Sequence, residues 1–459
     1  MSIENKRPGS VRDWNAYGRE HSASSQPQVA RKYVRRNRRW YRAAKILLLL
    51  LVFAILLMAV RENVWQPKQI ARAPRVQHVA TFQRRVGSFV ALPLSTRQVD
   101  TLENMGHLFS YKRLAQLYVS HMTLNEKLGQ LFMAEYYDTS YSPALDTMVS
   151  RLHAGGVVMY AFQMKTFAQT KYDIDEMQNH AKIPLFISAD EEGGFVERIQ
   201  NIYGHRPGAL QTYQTGNPGN ASQLGRSIAH DLLALGINED LAPDVDVQLV
   251  NGPDQYLRTW GYTPQSVITY AGAYMRAVQR AGVIACIKHF PGLGAAQTDA
   301  HFDLPIVNRT RQQISSVELA PFKAFIRSHN PLEQPGMVMP TDVSMPAIDP
   351  VWPAELSHTF ITNILRKQLG YNGVVITDAL YMKGISNHWS LPQAAVLALN
   401  AGNDMILGAN GPAQMQDMLN GLKTALRDGQ LAQARVDEAV TRIILLKLER
   451  KLVNSSSSS

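Results

Sequence analysis

The stretch VIACIKHFPGLGAAQTDAH (283–301) opens with five apolar or small residues, turns charged at Lys288 and His289, and runs on into a loop rich in glycine and alanine. An apolar run this short, without alternating polar side chains, reads as a strand buried on both faces, as in a parallel sheet. Seven other runs share this character: GQLFMAEY (129–136), GGVVMYAF (155–162), PLFISAD (184–190), INEDLAPDVDV (237–247), GMVMPTDV (336–343), GVVITDAL (373–380) and NDMILGAN (403–410). Stretches with helical spacing lie between most of them, such as 222–236, 266–282, 317–330 and 391–402. Eight strand–helix units in about 330 residues predict an α/β fold of the closed (β/α)8 TIM-barrel type, with an open doubly wound sheet as the alternative.

A barrel of this kind carries its active site at the C-terminal ends of the strands. Asp190, Asp246, Lys288, His289, Asp342 and Asp378 all fall at or just past the end of an apolar run. Solvation alone places polar residues at strand ends, so it is the coincidence of six that points to a site.

The chain has 459 residues and a formal charge of +10, which invites a nucleic-acid partner until the charge is located. Residues 1–45 hold twelve basic and three acidic residues, so nine of the ten net charges sit there and one remains for the other 414 residues. A basic face spread over the folded body is excluded. Directly behind the basic segment comes ILLLLLVFAILLMAV (46–60), fifteen residues without a charge. As a helix it covers roughly 22 Å, or about 27 Å if it starts at Ala43, against a hydrocarbon core of about 30 Å. A buried core helix is the alternative, but Trp40, Tyr41 and eight flanking basic residues suit a bilayer interface. The expected order is therefore a basic cytoplasmic segment (1–42), an uncleaved transmembrane anchor (43–60), a stalk (61–118), an extracytoplasmic barrel (119–453) and a disordered serine tail (454–459). The lone Cys286 allows no intramolecular disulfide.

Within the opening stretch, Asp299 and His301 are two residues apart, so in an extended loop both side chains point the same way and the carboxylate can bond one imidazole nitrogen. Such a pair fixes the tautomer and raises the basicity of the ring, as a group that donates and then accepts a proton requires. A loop Asp-x-His pair without function is the competing reading. No further His or Cys stands at metal-ligand spacing, so neither a metal nor a cofactor is expected.

The same stretch resembles the signature of glycoside hydrolase family 3 enzymes of the β-N-acetylhexosaminidase type. Seven further pieces match in the family's order: MTLNEKLGQLFM (122–133), DEEGGFVERI (190–199), GINEDLAPDVDV (236–247), RTWG (258–261), GVVITDALYM (373–382), AGNDMIL (401–407) and VDEAVTRIILLKLER (436–450). The resemblance implies a retaining glycosidase that removes terminal β-linked N-acetylglucosamine from cell-wall or chitin-type glycans, with Asp378 as nucleophile and the Asp299–His301 dyad as acid/base. It also implies that Asp190, Arg198, Arg258, Lys288 and His289 contact the sugar. Phosphorolysis stands open beside hydrolysis, since a histidine repels an incoming phosphate less than a carboxylate does. Three positions depart from the family pattern: Phe195 replaces an arginine, Leu293 a histidine, and Thr341-Asp342-Val343 an Ala-His-Val. They keep two alternatives open, a glycan-binding protein with weak turnover on the same barrel and a β-glucosidase or β-xylosidase.

Overall fold

The computed structural model describes residues 110–252 and 257–452. The segments expected to be cytoplasmic (1–42) and membrane-spanning (43–60), most of the stalk, and the serine tail lie outside the described residues. Among those that are described, no helix is long and apolar enough to cross a membrane.

Eight parallel strands close into a barrel in sequence order. They are β1 (Phe132–Glu135), β2 (Gly156–Val158), β3 (Phe186–Ala189), β4 (Glu239–Asp240), β5 (Ile284–Phe290), β6 (Met337–Pro340), β7 (Val374–Ala379) and β8 (Met405–Asn410). Closure is direct, because β1 pairs with β8 with Phe132 opposite Ile406. An open sheet is thereby excluded.

Each strand lies inside a run expected to form one, but the fourth contributes only two residues. Pro243 follows three residues behind Asp240, and a proline has no N–H to give the ladder. Pairing resumes only as an isolated bridge between Asp244 and Lys288.

The helices begin and end where side chains complete the open backbone groups. Helix Pro264–Ala281 starts at Thr263, whose side chain accepts from Ser266 N–H, has proline in its first turn, and stops at Gly282, whose φ of 107° suits glycine. Helix Tyr111–His121 begins inside the range expected to be a stalk and buries Ala115 and Val119 against the closing helix Gln433–Glu449. Packed structure therefore starts ahead of residue 119.

The barrel interior is apolar apart from a few ionic groups. The closing helix inserts Lys447, whose buried Nζ donates to Gln130 Oε1 and Gly155 O, each at 2.8 Å, and lies over the Phe186 ring. At the start of β8 the buried Asp404 carboxylate is held by Arg366, Arg435 (2.7 Å) and Arg442 (3.0 Å). Removing any one partner would leave the remaining charges buried and underpaired.

Candidate active site

Strand ends bring the expected sugar-binding residues into one ionic network. Lys288, at the end of β5, is 2% exposed, and its Nζ lies 2.6 Å from Asp190 Oδ1 after β3 and 2.7 Å from Glu192 Oε1. Arg258 grips Glu192 with two bonds, Nε to Oε2 at 3.0 Å and Nη2 to Oε1 at 2.9 Å. Its Nη2 also stands 3.3 Å from His289 Nε2, and Arg198 Nη2 lies 3.6 Å from Asp190 Oδ2. Burial pushes the Asp190 carboxyl up, but Lys288 and Arg198 outweigh it and hold the group below its usual range. Burial likewise works against charge on Lys288, and Asp190 with Glu192 reverses it, keeping the ammonium protonated. The result is a rigid rim of fixed charges with orientations suited to sugar hydroxyls.

His289 is fixed from the other side. Its Nδ1 lies 2.8 Å from Asp246 Oδ2, while Asp246 Oδ1 accepts the Leu293 N–H at 2.7 Å and Asp244 Oδ1 accepts the Asp246 N–H at 2.8 Å. Asp244, Asp246 and His289 stand close enough to surround a cation. His289 Nδ1 and both Asp246 oxygens are already engaged in hydrogen bonds, and Nε2 faces a guanidinium, so the set is built as a hydrogen-bonded network. Burial raises Asp244 well above the carboxylate range. For His289 burial acts downwards, but the hydrogen bond and charge of Asp246 outweigh it and raise the ring.

Asp378, the residue expected to be the nucleophile, lies in β7 and is held by three bonds. Its Oδ1 accepts Ala379 N–H at 2.8 Å, its Oδ2 lies 2.9 Å from Thr341 Oγ1, and its own N–H donates to Glu355 Oε2 at 3.1 Å. Each carboxylate oxygen therefore keeps a lone pair unclaimed by these contacts.

The Asp299–His301 pair forms as expected but by a different backbone. Asp299 Oδ1 accepts His301 Nδ1–H at 2.7 Å and also His301 N–H at 2.8 Å, and Asp299 O accepts from Phe302 and Asp303. The segment is a turn closed by the aspartate side chain rather than the expected extended loop. Asparagine and aspartate favour such turns because the side-chain oxygen competes with the backbone for nearby N–H groups. The His301 side chain is 60% exposed. Gly384 N–H, from the segment after β7, donates to Ala300 O between the two dyad residues.

A model of the "Glycosyl hydrolase family 3 N terminal domain" matches residues 123–446. The chain belongs to glycosyl hydrolase family 3. It is 32% identical over 380 residues to a protein named Beta-hexosaminidase A from Pseudoalteromonas piscicida, covering 73% of this chain and 62% of that one. It is 30% identical over 333 residues to Beta-hexosaminidase LpqI of Mycobacterium tuberculosis, covering 70% and 82%. Among solved structures it is similar to a family 3 β-N-acetylglucosaminidase from Paenibacillus sp. str. FPU-7, with 34% identity, a TM-score of 0.69, and coverage of 74% of this chain and 64% of that one. The chain thus spans about three-fifths of the Pseudoalteromonas relative.

Against the family 3 pattern, the three departures have distinct surroundings. Phe195 is exposed in the loop after β3, Leu293 is buried and serves Asp246 through its backbone, and Asp342 is fully buried beside Thr341. Two further residues show their surroundings only in the closed barrel. Glu135 ends β1, is buried, and has the Tyr160 and Tyr381 phenols against it; burial, opposed by those phenols and joined by Asp190 and Asp378, lifts it to about 7. Glu192 lies in a quoted motif, yet only the closed barrel shows it as the hub between Lys288 and Arg258.

Proposed function

We propose that this chain is a retaining glycosidase that removes terminal β-linked N-acetylglucosamine from cell-wall or chitin-type glycans. The observation that carries the proposal is the joining of the two reacting groups: Asp378 held with lone pairs available, and a His–Asp dyad pinned to the segment that follows it. Similarity to proteins named as β-hexosaminidases supports the same sugar class.

In the first step an Asp378 oxygen attacks the anomeric carbon, the bond to the leaving oxygen breaks, and His301 supplies that oxygen with a proton. Because Nδ1–H is committed to Asp299, the proton that moves is the one on Nε2. In the second step His301 takes a proton from water, whose oxygen attacks the same carbon and releases Asp378. The Lys288–Asp190–Glu192–Arg258 network, with Arg198 and His289, holds the sugar hydroxyls while this happens. The 43–60 segment anchors the protein, with residues 1–42 in the cytoplasm and the barrel outside; the supporting observations are the apolar run and the nine positive charges ahead of it.

The test is turnover of an aryl β-N-acetylglucosaminide by the detergent-solubilised full chain. Release of the aryl group that disappears in Asp378→Ala supports the proposal, and release that survives unchanged contradicts it. Oligosaccharide binding without any monosaccharide release would favour the weak-turnover alternative.

A further inference from the structure

His301 shares its turn with an exposed aromatic ring that the proposed chemistry does not use. The next residue, Phe302, donates its N–H to Asp299 O at 3.0 Å, so the turn that joins the dyad also fixes the backbone of a phenylalanine. Phe302 is 76% exposed. The segment around it is held on both sides. Gly384 N–H donates to Ala300 O, and beyond the turn Ser344 N–H donates to Pro305 O at 2.8 Å while Ser344 O accepts Val307 N–H at 2.9 Å.

Apolar residues exposed singly are ordinary on a protein surface. Phe302 differs from the ordinary case in two respects. The backbone bonds on either side keep it at the surface instead of letting the segment fold its ring inwards, and it is covalently next to the group read as the proton donor. A general acid has to come within about 3 Å of the oxygen it protonates, and consecutive Cα atoms are about 3.8 Å apart. When His301 Nε2 reaches the leaving oxygen, the group carried by that oxygen lies within a side chain's length of Phe302.

The two halves of the substrate therefore meet different chemistry. Lys288, Asp190, Glu192 and Arg258 present charges and hydrogen bonds. A phenyl ring presents neither, and suits a surface made of C–H groups. A β-linked pyranose with equatorial substituents carries such surfaces on its two faces.

We propose that Phe302 is a specificity-determining residue for the departing half of the glycan, its ring packing against a face of the sugar that leaves. The proposal rests on the reading of His301 as the acid. The terminal N-acetylglucosamine is then held by charge and its neighbour by an apolar face, so that a disaccharide or longer chain is cleaved in preference to a glycoside with a small aglycone.

The experiment compares kcat/KM of the full chain on methyl β-N-acetylglucosaminide and on the β-linked disaccharide of N-acetylglucosamine. Both leave as poor alkoxide leaving groups that need the proton of His301, but only the disaccharide places a ring beyond the scissile oxygen. Phe302→Ala is expected to lower kcat/KM on the disaccharide by about 10-fold, the scale of a lost aromatic contact, and to leave the methyl glycoside nearly unchanged. Phe302→Leu keeps apolar bulk without a flat face and should show the same selective loss, whereas Phe302→Trp keeps the face and should retain the preference for the disaccharide.

Equal losses on the two substrates in Phe302→Ala and Phe302→Leu would assign the ring to support of the turn and overturn the proposal, as would full activity of both variants on the disaccharide. A thermal melt of each variant separates an unfolded protein from an altered site. Failure of the underlying acid reading shows separately, as undiminished turnover of both substrates in His301→Ala.

Discussion

Gly384 donates its backbone N–H to the carbonyl of Ala300 at 3.2 Å, tying the turn that carries Asp299 and His301 to the segment that leaves Asp378. The same glycine lies directly on Asp342, so that a Cβ at this position would overlap the Asp342 carboxylate. Gly384→Ala should therefore leave the barrel folded but shift the dyad relative to the nucleophile. A displacement near 1 Å costs about 10²-fold in rate. Steady-state kcat together with a thermal melt checks this, and a normal kcat would show that the tie does not set the geometry.

His301→Ala separates proton donation from attack. Turnover of substrates with poor leaving groups should fall by about 10²–10⁴-fold, the usual contribution of general acid catalysis, while activated aryl glycosides lose much less. Comparing kcat/KM across a series of leaving groups measures the difference. Equal losses across the series would remove His301 from the acid role.

Lys288 neutralises two carboxylates, Asp190 and Glu192, from a position 2% exposed. Lys288→Met leaves both acids with Arg258 and Arg198 as their cationic partners among the described residues, and breaking a buried pair in this way costs about 3–5 kcal/mol. Urea unfolding of the variant tests the figure, and a loss below about 1 kcal/mol would place the lysine with exposed pairs instead.

Glu135 gives a pH dependence with a definite sign. It holds its proton up to about 7 in the folded protein, against an ordinary glutamate value in the unfolded chain. Its contribution to stability is therefore complete below about pH 4 and is lost as pH rises to about 7, by roughly 3 kcal/mol. Glu135→Gln keeps an uncharged group and should gain on wild type over that window. Unfolding free energies of both proteins at acid and neutral pH decide it; a constant difference would mean that folding does not raise Glu135.

Much of the fold is legible because parallel strands buried on both faces have to be short and apolar, and VIACIKHF and GVVITDAL are both. The fourth strand is harder, since Glu239, Asp240, Asp244 and Asp246 crowd a segment that Pro243 also interrupts. Helix Tyr111–His121 hides in the expected stalk because only Ala115 and Val119 of its eleven residues are buried, too few to mark a period. Within the site, Asp378, Lys288 and the dyad stand out as polar residues at or beyond the ends of apolar runs. Glu135 and Thr341 also close apolar runs, but what they face across the barrel does not show there, and Glu355 has no such mark: it is 23 residues from Asp378 in sequence and 3.1 Å from its N–H. Spacing along a chain does not encode such neighbours.

As the proposed nucleophile, Asp378 forms a covalent bond to the sugar. Incubating the full chain with a fluorinated β-N-acetylglucosaminyl fluoride, which forms the intermediate faster than it is hydrolysed, and mapping the labelled peptide by mass spectrometry detects that bond. The expected result is a single adduct on Asp378, absent from Asp378→Ala. An adduct on Glu135, Asp190 or Glu355, or turnover of the reagent with no adduct and an inverted first product, would contradict it.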